Sequence, residues 1–290
     1  MYSETYEIEQ EYAANIYVSL PISRPTENKE KAISDFINAL NLQLKLHYHA
    51  CVHPLFYIDF FFDTPYIQSR KYFENLDQVI QKNELSMLQK ISMIIYIIMG
   101  LGHSYKRGVH CHQDLQPSNI FTRDYIFCFD DLENFKKINK TADISDFVIE
   151  TNHNKNFAYP YMAPEQFLSE RLSAKTDVFA LGVIAFELFN QAYHPIGIKT
   201  NAWWPKPKDN NPDLYCNSKK WEEWVDQKCP INKSNIESNT INDFIFSMLS
   251  YDPSDRPDLA QCKLFFIKKL KEEDELAMKY FDILRKKNQK

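Results

Sequence analysis

Two side chains in the stretch HCHQDLQPSNIF, residues 110–121, have types and spacing that could do chemistry together. Asp114 is an acid and Asn119 is an amide five residues on, with Leu115, Gln116, Pro117 and Ser118 between them. Pro117 disfavours a regular helix here, because it lacks an N–H and its ring crowds the chain before it. A short rigid loop can then aim an acid and an amide into one cavity. The acid can accept a hydroxyl proton. The amide oxygen is a hard neutral ligand suited to Mg2+. A second pair of acids, Asp130 and Asp131, follows the run YIFCF, residues 125–129, which reads as a strand. One amide and one carboxylate around a divalent ion bound to phosphate form a phosphoryl-transfer site.

The elements that must position these residues differ along the chain. Before about residue 72, short apolar runs surround one helix candidate. NIYVSLPI (15–22) reads as a strand, and LFYIDFFF (55–62) as a buried strand, with YIQS (66–69) as the next. Between Lys29 and about Tyr48, Ile33, Phe36, Ile37, Leu40, Leu44 and Leu46 fall near helical period. After residue 73 the pattern turns helical. NLDQVIQK predicts a short helix. SMLQKISMIIYIIMGLGHSYK predicts a longer one, with Ser86 as N-cap and Leu88, Ile91, Ile95, Ile98 and Met99 on one face. AKTDVFALGVIAFELFN (174–190) is apolar nearly all round, as a helix in the core would be. Further helices are expected at 218–228, 240–250, 257–270 and 273–287.

The composition, 44% hydrophobic and 25% charged over 290 residues, suffices to bury a sizeable core. The net charge of −5 carries no long basic run, so the footprint of a nucleic-acid binder is missing. The N-terminal stretch is acidic and lacks a signal-peptide pattern, which predicts a cytoplasmic protein. The most apolar stretch, ISMIIYIIMGLG (91–102), is too short to span a bilayer and reads as a buried helix. The six cysteines form no C-x-x-C pair, and buried reduced thiols are expected of them.

The loop at 112–119 resembles the protein-kinase catalytic loop, H-R-D-L-K-P-x-N, and the acids after it resemble the D-F-G magnesium motif. The first reads His112-Gln113-Asp114-Leu115-Gln116-Pro117-Ser118-Asn119 here. The second reads Asp131-Leu132-Glu133, with Asp130 as the alternative start. Tyr161-Met162-Ala163-Pro164-Glu165 resembles the end of a kinase activation segment. Asp177 opens a stretch similar to the D-x-W-x-x-G start of the central kinase helix, with Phe179 in place of Trp. Asp252-Pro253-Ser254-Asp255-Arg256-Pro257 resembles the late D-P-x-x-R-P motif. The series keeps its order over residues 66–270.

The resemblance implies an α+β, bilobal protein-kinase-like fold. It places a reduced N-terminal lobe of strands plus one helix at 1–72 and a helical C-terminal lobe at 73–290. It implies ATP and Mg2+ as cofactors and a protein as substrate or binding partner. Asp114 would be the catalytic acid–base group, and Asn119 and Asp131 would hold the metal. Gln116 and Ser118 would join them in binding the cofactor. His112 would frame the loop, Leu132 would pack beneath the site, Asp177 would accept backbone N–H groups of the loop, and Glu165 and Arg256 would form a buried ion pair. The oligomeric state stays open.

The chain departs from the family chiefly in its first lobe. No glycine precedes Gly100, so a Gly-rich phosphate loop is absent, and no lysine precedes Lys29. The strand position that should carry a lysine falls at Ser19 or Pro21, and its glutamate partner would fall near Gln43 or Leu44. Losing one cationic donor at a phosphoryl-transfer site costs roughly 10²–10³ in rate, by analogy with other charge-stabilising groups. Gln113 replaces an Arg that would pair with a phosphorylated segment, Gln116 replaces a Lys, and Phe157-Ala158 stands for Gly-Thr. Thr141, Ser145 and Thr151 thereby lack that charged partner. Three readings follow: a divergent protein kinase favouring Ser/Thr, a pseudokinase acting as a binding module, and a small-molecule kinase. Asp131-Leu132-Glu133 is similar to the triads of the last class, whereas Glu165, Asp177 and Arg256 resemble protein kinases.

Overall fold

The structure is a computed structural model. It describes residues 2–8, 16–22, 29–46, 49–52, 54–62, 64–70, 74–109, 111–123, 126–129, 159–168, 172–203, 218–234, 236, 239–275, 279, 282–283 and 286.

The N-terminal lobe is one antiparallel sheet and one helix. Its strands are β1 (Tyr2–Ile8), β2 (Ile16–Ile22), β3 (Leu55–Phe61) and β4 (Thr64–Arg70), in the order β1-β2-β4-β3, and α1 (Lys29–Leu46) follows β2. Strand β1 was not anticipated from the sequence. It is an edge strand of the sheet, paired with β2 from Tyr2↔Ile22 to Ile8↔Ile16. An edge strand is paired on one side only, and its sequence, YSETYEI, carries no apolar run that would mark it.

Helix α1 lies against β2 and β4. It buries Phe36, Leu40, Gln43 and Leu46, spaced as one helical face. Leu44, expected on the apolar face, is 37% exposed instead, because it sits at the margin of this stripe. Strand β3 also corrects an expectation. Phe56, Tyr57 and Phe60 are all about half exposed, so the aromatic run is not a buried strand. It is the edge strand beside β4, outside the β2–β4 pair that α1 lies against.

The two lobes meet where His49 stacks on His103 at 4.3 Å between ring centroids. Burial holds the His49 imidazole down to about 4, with the nearby His103 and Lys106 adding to the effect, so both rings pack as neutral groups.

The chain continues with a two-residue strand, β5 (Glu74–Asn75), and α2 (Leu76–Lys82). Asn75 caps α2 with a reciprocal box to Gln78. Helix α3 (Met87–Lys106) starts at Ser86 as the sequence predicts, with Gln89 closing a second box. It is buried on more than one face, since Met93, Ile94 and Ile97 join Ile91, Ile95, Ile98 and Met99 in the core. A small sheet, β5-β6-β7, adds β6 (Ile120–Arg123) and β7 (Ile126–Phe129). The short α4 (Pro164–Phe167) precedes α5 (Ala174–Phe189), which is buried without a break from Thr176 to Leu188. The remaining helices are α6 (Thr200–Trp203), α7 (Ser218–Asp226), α8 (Thr240–Met248) and α9 (Leu259–Glu273). Most of the helix expected at 273–287 lies outside the described residues.

Helix α5 is the axis of the helical lobe, with α3, α8 and α9 packed around it. The approach of α8 requires Gly182, where an added Cβ would stand 3.0 Å from Met248 Cβ and 3.1 Å from Leu249 Cδ2. Cys51, Cys111, Cys229 and Cys262 are buried thiols outside any disulfide. No helix among the described residues is long and apolar enough to cross a membrane.

Candidate active site

The loop that carries Asp114 is shaped from below by α5. Ser173 caps this helix, which places Asp177 in its first turn and 1% exposed. The carboxylate accepts four donors. Oδ2 takes Tyr105 Oη at 2.7 Å and the His112 N–H at 2.6 Å. Oδ1 takes the Gln113 N–H at 3.1 Å and Cys111 Sγ at 3.4 Å. Burial raises the pKa of Asp177, and the four donors hold part of that rise back. The loop backbone is thus pinned at two successive amides. His112 is fully buried, and burial holds its imidazole down to about 3, so it fills space as a neutral ring.

Gln113 has φ 70, a left-handed backbone that non-glycine residues seldom adopt. The chain turns sharply there and presents Asp114, which is half-buried. Gln116 Nε2 donates to Asp114 Oδ1 at 2.9 Å. Asn119 Nδ2 donates to Asp114 Oδ2 at 3.3 Å and to its backbone carbonyl at 3.2 Å. Both carboxylate oxygens are therefore oriented by neutral amides. Pro117–Asn119 form one 3-10 turn, closed by the Asn119 N–H on Gln116 O at 3.0 Å. Leu115 anchors the loop from within, 2% exposed.

This arrangement leaves Asn119 with its amide nitrogen committed to Asp114 and its Oδ1 facing away, where Ser118 Oγ approaches at 3.5 Å. An oxygen so placed fits a hard cation such as Mg2+. Strands β6 and β7 pair Ile120 with Phe129, so the hairpin that starts at Asn119 ends beside it. Asp130, Asp131, Leu132 and Glu133 come next and lie outside the described residues, as do Phe157, Ala158, Thr141, Ser145 and Thr151. Among the described residues no group of three or more His, Cys, Asp or Glu is placed to hold a metal ion.

The segment after the loop is fastened by Glu165 and Arg256. The guanidinium meets the carboxylate in a fork, 2.7 Å from Nη1 to Oε1 and 2.9 Å from Nη2 to Oε2. Both side chains are almost wholly buried, at 0% and 2% exposure for Arg256 and Glu165. The remaining donors of Arg256 reach the carbonyls of Ser250, Tyr251 and Lys175 at 2.7, 2.9 and 3.0 Å. Its guanidinium lies over the Phe179 ring at 4.8 Å, at the place where the family has Trp.

The four described strands of the N-terminal sheet contain no lysine and no glycine, and their one basic residue is Arg70 at the end of β4. Of the two positions considered for a glutamate, Gln43 is buried and Leu44 points outward.

Three residues of this region were not singled out from the sequence. Tyr105 adds a side-chain donor to Asp177. Gln166 donates from Nε2 to the Gln113 carbonyl at 2.8 Å and accepts the Ala163 N–H at 3.0 Å. Glu187 accepts Tyr161 Oη at 3.0 Å and the Thr200 hydroxyl. Burial lifts the Glu187 carboxyl to about 8. An acid inside the otherwise apolar run from Val178 to Phe189 is the one signal in the sequence that points to Glu187. Nothing in the spacing marks Tyr105 or Gln166.

The family model of the protein kinase domain matches residues 6–265, and the chain belongs to that family. It is similar to the probable serine/threonine-protein kinase irlD of Dictyostelium discoideum, 31% identical over 117 residues, which is 40% of this chain and 7% of the relative. It is also similar to the Aurora kinase of Saccharomyces cerevisiae, 28% identical over 175 residues, 59% of this chain and 39% of that one. The cysteine-rich receptor-like protein kinase 44 of Arabidopsis thaliana is 24% identical over 267 residues, 83% of this chain and 64% of the relative. The chain spans less than two thirds of the length of each of these relatives.

Proposed function

We propose that this chain is a divergent protein kinase that transfers the γ-phosphoryl group of ATP to a protein hydroxyl, with Ser/Thr favoured, and that its lobes divide near residue 72. The observation that carries this reading is the carboxylate of Asp114, half-buried and steered on both oxygens by Gln116 and Asn119. Asp114 would orient the substrate hydroxyl and take its proton. Asn119 and Asp131 would hold Mg2+, with Gln116 and Ser118 beside the nucleotide. When bound, Mg-ATP supplies the phosphoryl group and the neutralisation of its own phosphate charge. The ion pair of Glu165 with Arg256 and the four donors on Asp177 support the reading, because they hold the loop and the segment after it in one place.

A pseudokinase reading rests on a different observation, the four strands of the first lobe without lysine or glycine. One pair of measurements separates the two. Purified chain is incubated with γ-labelled Mg-ATP and a panel of hydroxyl-bearing protein substrates, beside Asp114→Asn, and melted against rising Mg-ATP. Transfer that Asp114→Asn abolishes, with saturable stabilisation by nucleotide, is the expected result. No transfer and no shift at millimolar Mg-ATP would leave the chain a binding module.

A further inference from the structure

The left-handed residue that turns the loop toward Asp114 is held at both of its backbone polar groups. Its N–H donates to Asp177 at 3.1 Å and its carbonyl accepts from Gln166 at 2.8 Å. A non-glycine residue keeps such a backbone only where its surroundings over-determine it. Asp177 comes from α5 and belongs to the motif already described. Gln166 comes from α4, at the end of the segment that precedes α5, and nothing so far explains why it is glutamine.

Two of its neighbours fix the direction of the Gln166 amide. Oε1 faces the N–H of Ala163 at 3.0 Å, and Nε2 faces the carbonyl of Gln113 at 2.8 Å. The reverse orientation would set N–H against N–H and oxygen against oxygen. The side chain is 6% exposed, and the residue before it is Glu165, locked to Arg256. Gln166 is therefore a rigid bridge with a donor at one end and an acceptor at the other. Only an amide offers both at this length.

The carbonyl of Gln113 shares its peptide plane with the N–H of Asp114. Fixing that carbonyl fixes the plane from which the Asp114 side chain departs. We propose that Gln166 is a positioning residue for Asp114, coupling the end of the activation segment to the acid through the backbone of Gln113. The inference rests on the phosphotransferase reading for its effect on rate, though not for its effect on the loop.

The plain alternative is that Gln166 only caps α4. A capping role needs just the acceptor, and glutamate supplies that as well as glutamine. Gln166→Glu separates the two roles, since it keeps the acceptor and turns an oxygen toward the Gln113 carbonyl. The full chain carrying Gln166→Glu is compared with wild type by amide hydrogen exchange over residues 111–116 and by kcat and KM for ATP. Gln166→Leu serves as an uncharged second variant. Both are expected to speed exchange in that segment about 10-fold or more while α5 keeps its protection. The rate kcat is expected to fall about 10- to 100-fold with KM for ATP within about twofold, as for a displaced reacting group. Adding Gln113→Gly should restore part of the loss, because glycine holds a φ of 70 without support. The Gln113 side chain forfeits little there, for its Nε2 has no hydrogen-bond partner among the described residues. Unchanged exchange over 111–116 in both variants overturns the proposal and leaves Gln166 a cap. If wild type transfers no phosphate at all, the kinase reading fails, while the exchange measurement still decides the role of Gln166.

Discussion

Replacing Arg256 with Met removes a buried cation while keeping most of the side-chain volume. In the native fold all five N–H donors of Arg256 are used, on Glu165 twice and on the carbonyls of Ser250, Tyr251 and Lys175. The substitution leaves the Glu165 carboxylate buried without its counter-ion. Removing one partner of a buried pair costs about 3–5 kcal/mol. The lost contact with the face of Phe179 adds about 0.5–2 kcal/mol. Against a total stability of about 5–15 kcal/mol, this is a large fraction. A loss of 3–5 kcal/mol lowers the melting temperature by roughly 6–20 °C in a domain of this size. Thermal melts and urea titration of Arg256→Met read the loss directly. Arg256→Lys should lose at least half as much, because one ammonium cannot form the fork or reach every carbonyl. The double substitution Glu165→Met with Arg256→Met should recover part of the single loss by removing the stranded charge. A single variant within about 1 kcal/mol of wild type would refute the reasoning, and so would a double variant worse than the sum of its parts.

The buried Glu187 predicts a pH effect of definite sign. Its folded value of about 8 lies above the ordinary 4.5, so the folded state holds a proton that the unfolded chain gives up between those values. Its contribution to stability is present in full below pH 4.5 and is lost as pH rises to about 8. Glu187→Gln should therefore gain on wild type steadily between those limits, by about 1.4 kcal/mol per pH unit at most; melting temperatures that differ by a constant across this range would exclude the effect. The buried imidazoles of His112 and His194 act oppositely, since burial depresses both to about 3 and the fold weakens as pH falls from 6.5 toward that value. Gly182→Val should cost about 1–3 kcal/mol by overpacking against α8, where the space ends 3.0 Å away at Met248 Cβ; an unchanged melting temperature would show that α8 moves aside freely.

Legibility differed between the two lobes for a physical reason. The short run of α2, the Ser86 cap of α3 and the apolar length of α5 are local patterns, and the structure shows those helices close to the residues predicted. Strand β1 was missed and β3 was read as buried, because a strand's burial depends on which neighbours its sheet places beside it. The order β1-β2-β4-β3 puts both at edges, and that order is not written in any local run. The exposed Leu44 has the same origin, since helical period alone does not say which stripe of α1 meets the sheet.

The amino-acid sequence by itself determined the family of this protein and the residue types around Asp114, because motif order and spacing are properties of the chain. It also determined what the first lobe lacks, since no fold can supply a glycine or a lysine that its strands do not contain. Only the tertiary structure decided how the acid is aimed. Asp177 is 63 residues from Asp114 and Gln166 is 52 residues from it, yet both close on Gln113. The Asp177 contact was expected from the motif series, whereas the Gln166 hydrogen bond is fixed only by the packing of α4 beneath the loop, and no motif in the chain marks it.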